Sequence, residues 1–247
     1  MSRWKAAGIH LCISLLVTLV LGMLLLGVWY PPPYFRAAGA DELMLLLVGI
    51  DLVVGPLLTL IIFRAGKPGL RFDLSFIAVV QAAMFSYGMT IVLESRPVFL
   101  VGEIDRFVLV SANEIDLANM QKARNPAFRT LSWTGPQLVG AKPPTDSQEK
   151  NDVLFSAAFA HRDIDQLPSY YTTYDEQASV IIAHGRSIDE LRKRHPEGNV
   201  FLDAFIHTQA DPADLAWMPL AARRHDLVMI ISRRTGTPLR ALEIDPW

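Results

Sequence analysis

Three apolar stretches of about 20 residues each fill the first part of the chain, and they constrain its fold more than any other feature. They run from Ile9 to Trp29, from Leu43 to Phe63 and from Leu74 to Leu93. An α-helix rises about 1.5 Å per residue, so each stretch is long enough to cross a hydrocarbon core of about 30 Å. We therefore predict a membrane protein with three transmembrane α-helices within residues 1–93.

Residues 94–247 are much more polar and are long enough for one globular domain. Their patterns favour a soluble α+β domain that ends in an antiparallel meander, with Thr235-Gly236 as a hairpin turn. Strands are predicted at Val98–Val101, Ile104–Val110, Met218–Arg223, Leu227–Ser232 and Pro238–Ile244. Helices are predicted at Glu114–Lys122, Gln148–Ala160, Glu176–His184 and Ile188–His195, whereas Asn199–His207 fits either type. The Pro- and Gly-rich segment Thr134–Thr145 is predicted to be a loop.

Basic residues indicate how the membrane region is oriented. Arg3 and Lys5 precede the first stretch, and Arg64, Lys67 and Arg71 lie between the second and the third. Because cytoplasmic loops carry an excess of Lys and Arg, both segments are expected in the cytoplasm. Three crossings then place residues 94–247 on the other side, which is the periplasm if the membrane is a bacterial inner membrane.

A cleaved signal peptide is the alternative for the first stretch, since a basic segment precedes it. Its apolar run is longer than a signal-peptide core, and no small-x-small cleavage site precedes Trp29. The single cysteine, Cys12, falls inside this stretch. No disulfide framework is therefore expected in the polar part of the chain.

Asp51, near the middle of the second stretch, is the most unusual residue of the membrane region. An ionisable group at that depth costs a few kcal/mol and usually faces another helix or a cavity. Gly55 and Thr59 follow at intervals of four, so all three residues share one helix face. Small residues on such a face let another helix approach closely, and Pro56 removes one backbone hydrogen bond and predicts a kink.

Two polar residues of the third stretch, Gln81 and Tyr87, lie at depths comparable with that of Asp51. Measured from the end nearer the polar domain, Asp51 is about 12 Å deep, Tyr87 about 9 Å and Gln81 about 18 Å. A hydrogen bond from either side chain to Asp51 is therefore feasible. Three roles stay open for Asp51: helix packing, recognition of a partner helix, and proton chemistry.

Known catalytic and cofactor-binding patterns are missing from the sequence. It has no phosphate-binding loop, no Gly-x-Gly-x-x-Gly, no Gly-x-Ser-x-Gly and no His-Glu-x-x-His. The histidines of the polar part are well separated along the chain and are predicted as surface or capping residues: His161, His184, His195, His207 and His225. We therefore predict no enzyme activity, no metal and no cofactor. Acidic residues outnumber basic ones after residue 93, which argues against nucleic acid as a partner.

Two arginine pairs, Arg223-Arg224 and Arg233-Arg234, flank the apolar strand predicted at Leu227–Ser232. They either solvate the strand ends or form a rim for an acidic partner or an anionic lipid. Membrane lipid is in any case an expected contact of the apolar helices.

Several short motifs occur together in a fixed order. They are Tyr30-Pro31-Pro32-Pro33-Tyr34-Phe35, Gly49-Ile50-Asp51, Gly55-Pro56-Leu57-Leu58-Thr59, Gly66-Lys67, Leu70-Arg71-Phe72-Asp73-Leu74, Gln81, Tyr87-Gly88, Arg96-Pro97-Val98, Asp105-Arg106-Phe107 and the final Asp245-Pro246-Trp247. In this arrangement the chain resembles the TfpX/TfpZ-type accessory proteins of type IV pilins. The resemblance is densest from Tyr30 to Phe107 and loosest from Asn119 to Trp217.

The resemblance implies a non-enzymatic inner-membrane accessory protein or chaperone that stabilises or presents a cognate type IV pilin. It also implies that the partner carries a glutamate near the start of its apolar helix, which is a possible partner for Asp51. The candidate pilin-binding or helix-packing residues are Asp51, Gly55, Pro56, Thr59, Gln81 and Tyr87. The alternative from another class is a membrane-tethered periplasmic sensor or ligand-binding protein, which the lack of a cytoplasmic output domain makes weaker.

Overall fold

The computed structural model describes residues 2–160, 162–209 and 211–247, so the predicted surface residue His161 lies outside the described residues. Three helices are long and apolar enough to cross a membrane: span 1 (Arg3–Trp29), span 2 (Ala40–Ile62) and span 3 (Leu70–Glu94). The prediction of three transmembrane helices is confirmed. A short helix, Tyr34–Ala37, lies between spans 1 and 2.

Spans 1 and 2 each contain a π-helical turn. The first turn is at Leu25–Trp29 and the second at Ile50–Val54. The second turn directly precedes Pro56, which lies at the start of the following α-helical segment Gly55–Ile62. A proline ring clashes with the carbonyl four residues earlier, and a π turn relieves that clash by changing the local hydrogen bonding. The disruption expected at Pro56 therefore takes the form of a π turn that contains Asp51.

The soluble domain contains one open sheet of eight strands in the order β4-β3-β1-β2-β6-β7-β8, with β5 paired to β6. The strands are β1 (Pro97–Gly102), β2 (Phe107–Ser111), β3 (Gln137–Ala141), β4 (Tyr171–Thr172), β5 (Arg186–Ser187), β6 (Leu215–Ala221), β7 (Leu227–Ser232) and β8 (Pro238–Leu242). Pairing is antiparallel except for β1 with β3 and β2 with β6. The α+β class and the C-terminal meander β6-β7-β8 are confirmed.

The helices of the soluble domain follow the predictions with local differences. They are Leu117–Met120, Ser147–Ala160, Tyr174–His184, Ile188–Arg194 and Asn199–Ile206. The ambiguous segment Asn199–His207 is therefore helical. The helix predicted at Glu114–Lys122 is only one turn long, because Asp116 caps it and a separate turn at Ala112–Glu114 precedes it.

One loop prediction and one strand prediction need correction. The segment Thr134–Thr145 is not a loop throughout, since it contains β3. Gly140 weakens the strand pattern in the sequence. It is also the residue that allows the Tyr174–His184 helix to pack against β3, because an added Cβ would lie 2.6 Å from Gln177 Cβ. The strand predicted from Ile104 begins at Phe107, because residues 103–106 form the turn between β1 and β2.

The two faces of the sheet pack against different partners. Phe99 and Trp217 lie on the face that is covered by the soluble helices and turns. Leu100 and Met218 lie on the opposite face, in the same core cluster as residues at the ends of the spans. Successive strand residues point to opposite faces, so this division follows from the alternation of the strands. The membrane region and the soluble domain therefore share a hydrophobic core.

Polar contacts strengthen the junction between span 3 and the soluble domain. The Tyr30 hydroxyl, fully buried, donates to the Val92 carbonyl at 2.6 Å. Arg96 donates to the Leu93 carbonyl at 2.6 Å and to the Ser132 carbonyl at 3.1 Å. These donors satisfy carbonyls at the end of span 3 that have no partner within the helix. Burial raises the pKa of Tyr30 and lowers that of Arg96.

The connection between spans 1 and 2 is also fixed to the soluble domain. The Arg224 amide donates to the Ala37 carbonyl at 2.9 Å, and its guanidinium pairs with Glu42 at 2.9 Å. Arg36 pairs with Glu243 at 3.1 Å. Arg224, one of the arginines considered as an acid-binding rim, thus binds an acid of its own chain.

Two carboxyl groups near the turn after β1 make stability depend on pH. Burial, with a smaller contribution from the charges of Asp165 and Asp163, raises the pKa of Glu103 to about 7. Burial, together with the charge of Asp163, raises the pKa of Asp165 to about 6. Both pKa values exceed those of an unfolded chain, so the folded state binds more protons between about pH 4 and pH 7. The contribution of these two groups to stability should be greatest below this window and fall as pH rises through it.

We expect the melting temperature of the full-length protein in detergent to fall by about 5 °C or more between about pH 5 and pH 8. Asp165→Asn should flatten the decline, because the amide stays neutral. Asp189→Asn, which changes a carboxylate away from this turn, is the matched control and should leave the profile unchanged. A wild-type melting temperature that rises over this range would contradict the assignment.

Candidate functional site

The residues of span 2 that were singled out by sequence differ in their surroundings. Gly55 and Thr59 are buried, and Thr59 is 4% exposed. Asp51, one turn away within the π turn, is partly exposed and faces the gap between spans 2 and 3. The predicted common face therefore serves helix packing at Gly55 and Thr59, while Asp51 faces a cleft.

A polar cluster joins the three spans at Gly55. His10 Nδ1 of span 1 and Thr59 Oγ1 are hydrogen-bonded at 2.7 Å. An added Cβ at Gly55 would collide with the Gln81 Nε2 of span 3 and would lie 2.9 Å from His10 Nε2. We call His10, Gly55, Thr59 and Gln81 the three-span cluster. Only glycine leaves room for both neighbouring side chains.

An apolar cleft, which we call the span 2–3 groove, extends from Asp51 towards the soluble domain. Its volume is about 530 Å³. It is lined by Leu43, Leu46, Leu47, Ile50, Asp51, Ala83, Met84, Phe85, Tyr87, Gly88, Ile91 and Val92. Asp51 and Tyr87 contribute its polar side-chain groups. The groove does not reach Gly55 and Gln81, whose contact brings spans 2 and 3 together at its inner end.

The hydrogen bond predicted from Tyr87 or Gln81 to Asp51 does not form among the described residues. Gln81 packs on Gly55 instead, and Tyr87, which is 71% exposed, shares the groove with Asp51 without bonding to it. Within the described part of the chain, no other side chain donates a hydrogen bond to the Asp51 carboxylate. The Asp51 carboxylate thus lines an apolar cleft at membrane depth without a hydrogen-bond donor among the described side chains.

Sequence reasoning missed His10 and the groove. A histidine inside an apolar stretch is itself a signal, because polar residues in transmembrane helices usually pair with a neighbouring helix. The groove has no comparable signal, since the leucines that line it look the same in sequence as those that face lipid. Leu45, 74% exposed, is outside the groove, whereas its neighbour Leu46, 66% exposed, lines it.

The described residues include no group of three or more His, Cys, Asp or Glu side chains arranged to hold a metal ion. The candidate site therefore consists of the span 2–3 groove with Asp51 at its inner end. Its lining offers apolar contact and the polar groups of Asp51 and Tyr87.

Comparisons with known proteins relate the chain to fimbrial assembly proteins. Residues 1–39 match the family described as Fimbrial assembly protein FimB. The fimbrial assembly protein of serogroup E1 from Dichelobacter nodosus is 30% identical over 250 residues, covering 98% of this chain and 95% of the relative. The serogroup I protein of the same organism is 29% identical over 247 residues, with coverage of 98% and 95%. No solved structure matches the chain.

The three spans and the soluble domain define a membrane protein, and its relatives support a role in the biogenesis of fimbriae. The chain belongs to the fimbrial assembly protein family. The resemblance described from sequence is confirmed at this level, and its narrower TfpX/TfpZ-type form remains a prediction.

The environment of Asp51 leads to a testable expectation about stability. Asp51→Leu should keep or raise the melting temperature, because a polar group without a partner is removed from an apolar cleft. Thr59→Val should lower the melting temperature, because it removes the hydrogen bond to His10. Thermal denaturation of both full-length variants in detergent measures the difference. A large loss of stability in Asp51→Leu alone would show that Asp51 holds the fold together.

Proposed function

We propose that this protein is a non-enzymatic, TfpX/TfpZ-type accessory protein that holds a type IV pilin in the inner membrane before assembly. The span 2–3 groove receives the apolar helix of the pilin, and the soluble domain stands beside the pilin head in the periplasm. The observation that carries the proposal is Asp51, whose carboxyl group faces an apolar groove without a partner among the described residues.

A carboxyl group without a hydrogen-bond donor is costly at membrane depth. Lipid tails cannot hydrogen-bond to it, so an arriving helix that offers a donor gains a favourable contact that lipid does not provide. The apolar lining of the groove offers close packing to the same helix. Membership of the fimbrial assembly family makes a pilus component the appropriate partner.

The glutamate that the resemblance implies in the pilin helix can bind next to Asp51 only if at least one of the two carboxyl groups is protonated. Two carboxyl groups in one apolar site cannot both be ionised without strong repulsion. If one carries a proton, it donates a hydrogen bond to the other. Pilin binding at Asp51 is therefore accompanied by the sharing of one proton between the two acids.

The groove gives a sharp crosslinking test. A photo-reactive residue at Leu46, which lines the groove, should capture pilin in the membrane. The same residue at Leu45 is the matched control, because Leu45 is similarly exposed but lies outside the groove. Asp51→Leu should reduce capture at Leu46 while the protein stays abundant, and Asp51→Asn should retain part of it. Deletion of the gene should lower pilin abundance or surface piliation without a change in pilin transcription.

Equal capture at Leu45 and Leu46, or none at either, would reject the groove as the pilin site. Normal piliation in the deletion strain would reject the accessory role and favour the membrane-tethered sensor.

Orientation is tested separately in a Cys12→Ala background. Thr145→Cys should react with a membrane-impermeant thiol reagent in intact spheroplasts, and Gly66→Cys should react only after the membrane is opened. These positions lie in the soluble domain and in the turn between spans 2 and 3, respectively. The reverse labelling pattern would place the soluble domain in the cytoplasm.

A further inference from the structure

We infer that His10 is a positioning residue: with Gln81 it fixes span 2 at Gly55 and Thr59, so that the adjoining π turn presents Asp51 to the span 2–3 groove. The effect of this positioning on pilin capture rests on the proposed function. The positioning of span 2 itself is argued from the contacts of the three-span cluster alone.

The contact between spans 1 and 2 is centred on His10. This residue lies on the face of span 1 that also contains the buried residues Ala6 and Ser14. Their small side chains bring the two backbones close, and the hydrogen bond between His10 and Thr59 fixes their register. Rotation or sliding of span 2 against span 1 would break this bond.

A second contact is made at Gly55 by span 3. Gln81 occupies the space that a Cβ would take there, next to the His10 ring. Side chains of two other spans thus converge on span 2 at a residue that has no side chain of its own. The segment from Gly55 to Thr59 is fixed in rotation and depth.

The π turn connects this fixed segment to Asp51. Pro56 disrupts the backbone hydrogen bonding of the preceding turn, and the chain responds with the π turn Ile50–Val54 that ends next to Gly55. A π turn adds a residue to one turn of helix, which rotates the residues before the turn relative to the residues after it. The direction of Asp51 therefore depends on where the Gly55–Thr59 segment is held.

The test uses a fluorine-19 label on a cysteine in the π turn of the full-length protein, in a Cys12→Ala background. Val53→Cys carries the label, because Val53 is 62% exposed and its replacement leaves Asp51 and the three-span cluster intact. His10→Ala and Thr59→Val should each increase a second resonance of this label by about threefold, the effect of one average hydrogen bond between membrane helices. His10→Gln, which keeps a hydrogen-bonding group, should restore the parent spectrum.

Two controls separate positioning from a general loosening of the protein. A label at Leu45→Cys should give the same spectrum in every variant, because this end of span 2 is held to the soluble domain by the ion pair of Glu42 with Arg224. Gly49→Ala should leave the Val53 label unchanged, since an added Cβ there meets nothing within 4 Å, whereas Gly55→Ala should change it. Thr59→Val keeps the shape of threonine, so it still gives the answer if His10→Ala fails to fold.

An unchanged spectrum of the Val53 label in the folded His10→Ala or Thr59→Val variant would overturn the inference. An equal change in the spectrum of the Leu45 label would also overturn it, and so would a His10→Gln variant that does not give the parent spectrum. The spectra decide this without any pilin. Absence of pilin capture at Leu46, together with the expected spectra, would instead reject the proposed function and leave the positioning role standing.

Discussion

Gly55 is the point at which all three membrane helices meet, and the arrangement of the membrane region depends on the contact made there. Lipid tails are as apolar as the helix surfaces, so helices in a bilayer associate through close packing and hydrogen bonds. Span 2 obtains both at Gly55, where the side chains of His10 and Gln81 converge on the space next to the glycine. The hydrogen bond of His10 to Thr59 then fixes the register of spans 1 and 2.

The same contact explains why the span 2–3 groove ends at Gly55 and Gln81. Spans 2 and 3 are held together at Gly55 and Gln81, and the groove opens from there towards the soluble domain. The π turn before Pro56 contains Asp51, which lines the groove. Within two turns of span 2, Gly55 and Thr59 thus pack against other spans, whereas Asp51 is accessible to a partner.

Sequence patterns predicted the parts of this fold that follow from local physics. The spans were predictable because crossing a bilayer requires a long apolar helix, and the meander β6-β7-β8 because its strands alternate and its hairpin contains Gly236. Strand β3 was missed because its register depends on β1 and its Gly140 is required by a helix distant in sequence. The split between Asp51 and Thr59 was also missed, since a π turn changes the helical register that a spacing of four assumes.

The core shared by the spans and the sheet has a consequence for how the protein is made. Leu100 and Met218 pack in one cluster with Leu25 and Tyr30 and with Ile181 of the Tyr174–His184 helix, so part of this face of the sheet is covered only when the spans are in place. During biosynthesis, the last strands therefore pack against spans that are already inserted in the bilayer. A chain whose spans fail to insert would present an apolar sheet face to water, which is the kind of surface that chaperones and proteases recognise. Insertion of the spans therefore contributes to the folding of the soluble domain.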